Sequence, residues 1–496
     1  MGERLRSEDL ALWVTESPST PMHNATLEVF APPTDGFDYH RLLGLIADRV
    51  AFVPRYRQRL RAVPGRIANP VWVDDDDFDL TFHVRRSALP RPGSMDQLRE
   101  LVGRIMSRPL DRHRPLWEVY LIEGLEEGRF AILSKSHQVL VDGVATVDLG
   151  QVILDVDPKP RETVPDDWRP RPEPSPPTLV AEAVGETLRD PRQAVTTVRD
   201  NAGSLLRTAG ALGGGLVERV SAVSSRRSTP DSPLSATLSE QRRFVTVRTE
   251  LEDYRRVRRV HGGTVNDVIL ATVTGGLRTW LMTRAEPVPG SRTLRAMVPM
   301  SVIDSDLEPT SLGSQVAGHL LSLPVGEPSP VVRLHQVSYA LKSHRETGRA
   351  VAADRLAGVA GFAPTTFHAL GSRVAAAEQR RNFHVVVTNV PGPQFPLYAA
   401  GAQMLESYPV PPLLPRQALA IGVTSYDGHV HYGLTGDRDA LPDLDVLGQC
   451  LTEALEELVD SVSETRQRAP RGRKRTGPSR TTGRPAARTT GKGAKA

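Results

Sequence analysis

His137-Gln138-Val139-Leu140-Val141-Asp142-Gly143 is the stretch around which the rest of the chain can be ordered. Before it, Phe130-Ala131-Ile132-Leu133-Ser134-Lys135 reads as a mostly buried strand, a short apolar run that turns polar at its end. After it, the Asp142-Gly143 pair signals a turn, and Val144 to Leu154 has the spacing of a helix. Taken alone, the heptapeptide also suits a buried strand that ends in a Val-Asp-Gly turn with one satisfied histidine. The remainder of the chain has to decide between a structural and a chemical reading.

At 496 residues the chain exceeds one ordinary core, and two domains are expected. A hydrophobic share of 39% suits a soluble protein. The start, Met-Gly-Glu-Arg-Leu-Arg, leads into no long apolar run, so no secretory signal is expected. No apolar stretch reaches the roughly 20 residues that span a bilayer. The single cysteine, Cys450, excludes an intramolecular disulfide and reads as a buried structural thiol on a helix. Together these features predict a cytoplasmic protein. The formal charge of +4 conceals an asymmetry. Residues 465–496 hold 11 Arg or Lys and no acid, which leaves 51 basic against 58 acidic residues in the rest.

Alternating strand-like and helix-like patches give an α/β pattern in two blocks. The first occupies residues 1–156; in it Ala25 to Phe30 alternates as a half-buried strand does. Residues 157–239 connect the blocks. Eight prolines between Asp157 and Thr178 predict an extended, exposed linker. Helical spacing follows over 179–221, with Leu179, Val180, Ala183 and Val184 on one face and a triple glycine, Gly213 to Gly215, weakening the second helix. The second α/β block spans 240–462, and the basic tail, 463–496, is too poor in apolar residues to fold. The acidic run Asp74 to Asp77 reads as a solvated turn rather than a metal site, because hard-cation loops need spaced ligands and a glycine. No metal is expected.

The heptapeptide resembles the His-His-x-x-x-Asp-Gly motif of the coenzyme-A-dependent acyltransferases, with Gln138 in place of the second histidine. Further stretches follow in order: Met22-His23, Pro70 to Leu80 with His83-Val84-Arg85, Arg114-Pro115-Leu116-Trp117-Glu118, and Thr264-Val265-Asn266-Asp267-Val268. Val298 to Val302, Leu312-Gly313-Ser314-Gln315, Thr388-Asn389-Val390-Pro391-Gly392-Pro393, Ser425 to Gly428 and Gly436 to Asp439 complete the series. In this order they resemble the bacterial wax ester synthase/acyl-CoA:diacylglycerol acyltransferase family over nearly all of residues 1–460. Two departures stand out: Gln138, and Ser314 where the family has Asn.

The resemblance implies two chloramphenicol-acetyltransferase-like domains, each a mixed sheet with flanking helices, with a tunnel at their interface. It implies transfer of a long acyl chain from acyl-CoA, as substrate rather than cofactor, to diacylglycerol or a long-chain alcohol. Such a transfer needs a base for the hydroxyl, stabilisation of the oxyanion, and exclusion of water. The motif places His137, Gln138, Asp142 and Gly143 at the catalytic positions. The second position is the family's base, and a neutral carboxamide cannot accept a proton near pH 7. His137 would need a local twist to serve instead, because adjacent strand residues point to opposite faces. Asp142 matches a structural aspartate and Gly143 the glycine of a tight turn. Pro115, Leu116, Trp117, Asn266, Asp267, Asn389, Pro391 and Gly392 match stretches near the substrate tunnel. Trp117 equally suits a core anchor, Asn266 or Asp267 a helix cap, and Pro391-Gly392 a plain rigid bend.

Gln138 also keeps a second class of function open, a paralogue that binds acyl-CoA or lipid without efficient turnover. No Gly-x-Ser-x-Gly elbow is present, which disfavours a covalent serine route. The tail 465–496 would be drawn to anionic lipid headgroups at a membrane or lipid-droplet surface. It has no aromatic residue to stack on bases, which disfavours nucleic acid.

Overall fold

The computed structural model describes residues 2–140, 153–159, 166, 168–189, 232–301, 316–346, 376 and 383–467. Asp142, Gly143, most of the expected helix 144–154, the Gly313-Ser314-Gln315 stretch, the triple glycine and the basic tail beyond Gln467 lie outside the described residues.

The first six-stranded sheet is built on β1 (His23–Ala31), β4 (Val84–Ala88), β5 (Trp117–Glu123) and β6 (Phe130–His137). A small hairpin, β2 (Gln58–Arg61) and β3 (Val71–Asp74), stands beside it. The helices of this half are α1 (Ser7–Thr15), α2 (Tyr39–Val50), the one-turn α3 (Leu80–His83) and α4 (Met95–Met106). Ser94 and Gln97 form a reciprocal capping box that starts α4. Leu98, Val102 and Ile105 of α4 then pack on Ala25, Leu27, Val29, Ala131 and Leu133, one face of β1 and β6. Phe30, Phe130 and Ile132 turn the other way, onto Leu42 and Ile46 of α2. Both central strands are therefore covered on both faces. The expected half-buried alternation of residues 25–30 is corrected accordingly: Thr26 and Glu28 are buried as well.

Lys135 is wholly buried in β6, and its Nζ donates to Ile105 O (3.1 Å) and to Arg108 O. The ammonium thus meets carbonyls at and just beyond the end of α4, where the helix dipole favours a cation. Burial still pulls its pKa down to about 8.

The connection between the halves is strapped to the hairpin rather than free. Arg59 and Arg61 hold Glu173 (2.6 and 2.8 Å), Arg171 reaches Asp74 (3.0 Å), Arg57 pairs with Asp166, and the Arg57 guanidinium lies 4.8 Å over the Trp168 ring. In α5 (Pro176–Arg189) Leu179 and Ala183 pack on Val63 and Val71, whereas Val184 is exposed.

The second sheet contains β7 (Arg242–Glu250), β8 (Leu294–Ser301), β9 (Val316–Leu323), β10 (Val385–Pro391), β13 (Leu419–Tyr426) and β14 (His429–Asp437), in the order β7-β14-β13-β10-β8-β9. One face is covered by α6 (Leu251–His261), α7 (Val265–Thr283), α8 (Pro330–Glu346) and α9 (Leu444–Gln467). Cys450 is buried in α9. After β10 the chain crosses back: β11 (Tyr398–Ala399) and β12 (Ala402–Val410) complete the first sheet in the order β11-β12-β1-β6-β5-β4. On its way β12 lies against the second sheet. Pro409 seats on the cross-strand pair Gly422 and Gly433, and a Cβ on Gly433 would fall 1.8 Å from Pro409 O. Only glycine allows that approach. The two halves are thus joined by strand exchange as well as by the strap. Among the described residues no helix is long and apolar enough to cross a membrane.

Candidate active site

β6 delivers the chain to the motif. His137 is its last residue, and Gln138 opens a 3-10 turn, Gln138–Leu140. The backbone is pinned on both sides: His137 N–H donates to Leu116 O and Gln138 N–H to Met22 O, each at 2.9 Å. Met22-His23 and Pro115-Leu116-Trp117 therefore bracket the strand end.

His137 is buried. Its Nδ1 accepts the Val139 N–H at 3.1 Å, so the neutral ring carries its proton on Nε2. Nε2 lies 3.4 Å from Glu16 Oε2, an electrostatic contact longer than a good hydrogen bond. The Glu16 carboxylate also accepts the Met22 N–H (3.0 Å) and two nitrogens of Arg112 (3.1 and 2.6 Å). Burial pushes the Glu16 carboxyl up, but the nearby His137 N–H edge and the hydrogen bonds and charge of Arg112 outweigh it and hold the group well below its ordinary 4.5. Arg112 in turn donates to Trp13 O (2.9 Å) and covers the Trp13 ring at 4.1 Å, while that ring meets His137 edge-on at 5.6 Å. The arrangement locks α1 against the motif. It also commits His137, whose one lone pair is taken by Val139 and whose proton faces a carboxylate.

His23 stands directly opposite His137 in the β1–β6 register. Cross-strand partners share a face, and both rings lie on the side that holds Lys135 and α4. His23 Nε2 donates to Met106 O at 2.9 Å, leaving Nδ1 unprotonated and without a hydrogen-bond partner. Burial, then the charge of Lys135, keep this imidazole well below its ordinary 6.5.

Gln138, one residue on, is fully buried, and among the described residues neither Oε1 nor Nε2 of its carboxamide has a hydrogen-bond partner. An unpaired buried amide costs about 1–3 kcal/mol, a deficit that a bound hydroxyl or carbonyl relieves. Its neighbour Met22 packs on Met297, Phe383, Val386 and Leu414 of the second half. Gln138 therefore sits beside the seam between the two sheets. Among the described residues no titratable side chain hydrogen-bonds it. His113 is exposed beside Asp111, His384 Nδ1 accepts the Arg295 N–H, and His319 lies on β9. No group of three or more His, Cys, Asp or Glu that could hold a metal occurs among the described residues.

Comparison with known proteins covers most of the chain. The wax ester synthase/diacylglycerol acyltransferase catalytic domain matches residues 5–269, and the C-terminal domain of the same proteins matches residues 312–459. The chain belongs to the wax ester synthase/diacylglycerol acyltransferase family. It is an enzyme of the acyltransferase type. A probable diacylglycerol O-acyltransferase of Mycobacterium tuberculosis is 42% identical over 260 residues, 52% of this chain and 96% of the relative. A second from the same organism is 33% identical over 450 residues, 89% of this chain and 91% of the relative. The wax ester synthase/diacylglycerol acyltransferase of Marinobacter aquaeolei VT8 superimposes with a TM-score of 0.62 at 28% identity, covering 93% of this chain and 100% of that one. The first condensation domain of the CDA synthetase, at 15% identity and a TM-score of 0.52 over 92% of this chain and 96% of that one, shares the fold.

The remaining family positions fall into two groups. Pro115 and Leu116 are buried beside the strand end. The Trp117 side chain is fully occupied: Nε1 donates to Tyr56 O (2.8 Å) and the ring stacks on His83 at 4.5 Å. In the second half Thr264 caps α7, and Asp267 completes the box by accepting the Thr264 N–H (3.0 Å) and the Ser338 hydroxyl (2.6 Å). Asn389 Nδ2 donates to Asn266 Oδ1 at 2.7 Å, tying the end of β10 to the start of α7. Gly392 N–H donates to Ser425 O (2.9 Å), and Gln394 clips the Pro391-Gly392-Pro393 bend through Ser425 Oγ (3.1 Å). The described contacts join Asn266 with Asn389, and Asp267 with Thr264 and Ser338; none of them joins these residues to His137. Trp13, Glu16 and Arg112 were not singled out by the sequence. Their only signal is a lone acid in Thr15-Glu16-Ser17-Pro18 and one arginine among several near residue 112.

Proposed function

We propose that the protein transfers a long-chain acyl group from acyl-CoA to the hydroxyl of diacylglycerol or of a long-chain alcohol, and does so slowly. The acceptor oxygen attacks the thioester carbonyl carbon, the C–S bond breaks, and the hydroxyl proton leaves with the coenzyme A sulfur. A tunnel along the seam between the sheets would bring the two substrates together. Gln138 Oε1 accepts the hydroxyl hydrogen and orients the oxygen without removing its proton. The observation that carries this reading is the buried, unpaired carboxamide at the strand end of a family member. Lacking the base, the enzyme forgoes roughly 10²–10⁴-fold of rate.

One observation favours a second reading, a binder of acyl-CoA or lipid without turnover. His137 is committed to Val139 and Glu16, and the free nitrogen of His23 is on the α4 face. Acyl transfer from radiolabelled palmitoyl-CoA to diacylglycerol, and separately to hexadecanol, by the wild type and Gln138→His separates the two. Measurable wild-type turnover with a gain of about 10²-fold or more in the variant supports the proposal. A silent wild type with an active variant supports the binder. Silence in both removes Gln138 from the site. The tail 465–496 would add peripheral attachment to an anionic lipid surface, about 1 kcal/mol per cation near the surface.

A further inference from the structure

A cleft of about 870 Å³ opens on the side of the molecule where α4, β7 and α9 meet. Its floor is a sheet edge, since β7 is the last strand of the second sheet and consecutive residues Gln241 to Arg248 line the cleft. Arg438 N–H donates to Gln241 O and Leu251 N–H to Gly428 O, so the odd-numbered residues of β7 bond to β14. In an antiparallel ladder the alternate residues then turn their N–H and C=O outward. Arg242 confirms this, because its N–H leaves the sheet to reach Ser107 Oγ at 2.8 Å. Among the described residues nothing takes the outward N–H and C=O groups of Phe244, Thr246 and Arg248. At about 3.3 Å per residue, residues 244–248 offer roughly 13 Å of open edge.

Six arginines line the cleft beside Asp96, Glu100 and Asp445. Four of the six are paired: Arg99 with Asp96, Arg242 with Asp437, Arg243 with Asp445 and Arg248 with Glu406. Arg104 on α4 and Arg438 after β14 are exposed and have no carboxylate partner among the described residues.

We propose that this edge is a docking groove for an extended acidic segment of a partner protein. The segment adds to β7 as a further strand and presents carboxylates to Arg104 and Arg438. Strand addition takes its affinity from main-chain hydrogen bonds and its selectivity from alternate side chains, and both elements are present. A nucleotide fits less well. The only aromatic residue lining the cleft, Phe244, is 3% exposed and packs in the core with Leu98 and Val102, leaving no platform for a base. The chain's own tail has no acid to offer.

The test uses the full-length protein and a fluorescein-labelled peptide of alternating Glu and Thr, read by anisotropy. Three results are expected: saturable binding that weakens with salt, a loss of about tenfold or more in the Arg104→Glu/Arg438→Glu double variant, and a similar loss in Thr246→Pro, which removes an outward N–H. A peptide N-methylated at alternate residues keeps its charge but loses one set of main-chain donors, and it should bind about tenfold more weakly to unaltered protein. Four results would overturn the proposal: no binding near a Kd of about 1 mM, equal binding of the N-methylated peptide, no effect of the double charge reversal, or displacement by adenosine 3′,5′-bisphosphate at lower concentration than by unlabelled peptide. The proposal is independent of the acyl-transfer reading.

Discussion

Glu16 is the residue on which the geometry of the motif depends most, and replacing it tests the reasoning directly. Its side chain is 5% exposed, and its two oxygens receive the Met22 N–H, two Arg112 nitrogens and the proton-bearing edge of His137. Every neighbour is a donor. Glu16→Gln keeps the shape but turns an NH₂ toward one of them whichever way the amide is set. It should therefore cost nearly as much as Glu16→Ala. Replacing Glu16 leaves two buried donors, the Met22 N–H and the His137 Nε2–H, without an acceptor, at about 1–3 kcal/mol each. At about 2–4 °C per kcal/mol for a domain of this size, the N-terminal transition should fall by roughly 10 °C. Arg112→Ala should cost less, about 1 kcal/mol, because that side chain is 39% exposed and water replaces part of the contact. Acid should erase the difference. The folded carboxyl titrates below its ordinary 4.5, so the unfolded chain takes up the proton first as pH drops. The contribution of Glu16 is then complete above about pH 4.5 and declines below it. The measurement is differential scanning calorimetry of wild type, Glu16→Gln, Glu16→Ala and Arg112→Ala between about pH 7 and pH 3. A Glu16→Gln transition within about 1 °C of wild type at pH 7 would refute the argument that only a carboxylate satisfies this site.

Two further outcomes follow from buried and unburied charge. His431 on β14 is fully buried, neither ring nitrogen has a hydrogen-bond partner among the described residues, and burial lowers its pKa to about 3. The unfolded chain protonates it below its ordinary 6.5, so stability falls as pH drops from there by up to about 1.4 kcal/mol per pH unit. His431→Leu should flatten that slope and leave the pH 7 melting point unchanged or raised, and a loss of more than about 2 kcal/mol would mean the ring is satisfied after all. For the tail, co-sedimentation with phosphatidylserine vesicles should be salt-sensitive and should disappear on deletion of 465–496; binding that survives the deletion would assign the attraction to another surface.

What could be read from sequence and what could not divides along contact distance. The Thr264-x-x-Asp267 box, the Asp427-Gly428 hairpin with both residues in the left-handed region (φ 42° and 84°), and the strand into His137 depend on neighbours within a few residues. Their chemistry is local, so the pattern shows it. The pairing of Ala25 with Val410 joins residues from opposite halves of the chain. A strand's alternation records how many faces are covered, not which distant strand lies beside it. Thr26 and Glu28 misled for that reason: they alternate as solvent-facing residues do, yet both are buried. The Glu16–Arg112–His137 cluster was unreadable for the same cause, since each charge taken singly is what a solvated surface would show.

The composition of the motif itself carries one more step. Histidine and glutamine reach similar distances, but at position 138 the carboxamide leaves two buried polar atoms without a partner among the described residues. If the site served only packing, an apolar residue of similar volume would be better, because removing an unsatisfied buried amide is neutral or stabilising. Gln138→Leu should therefore raise the melting point, by about 1–2 kcal/mol of stability, while weakening the binding of a long-chain alcohol or diacylglycerol followed by tryptophan fluorescence. A gain in stability coupled to a loss of acceptor binding would make Gln138 a group held unpaired for a ligand. A Gln138→Leu variant destabilised by more than about 2 kcal/mol would instead show that the amide is a structural tie within the fold, and the acceptor would have to be held by other residues.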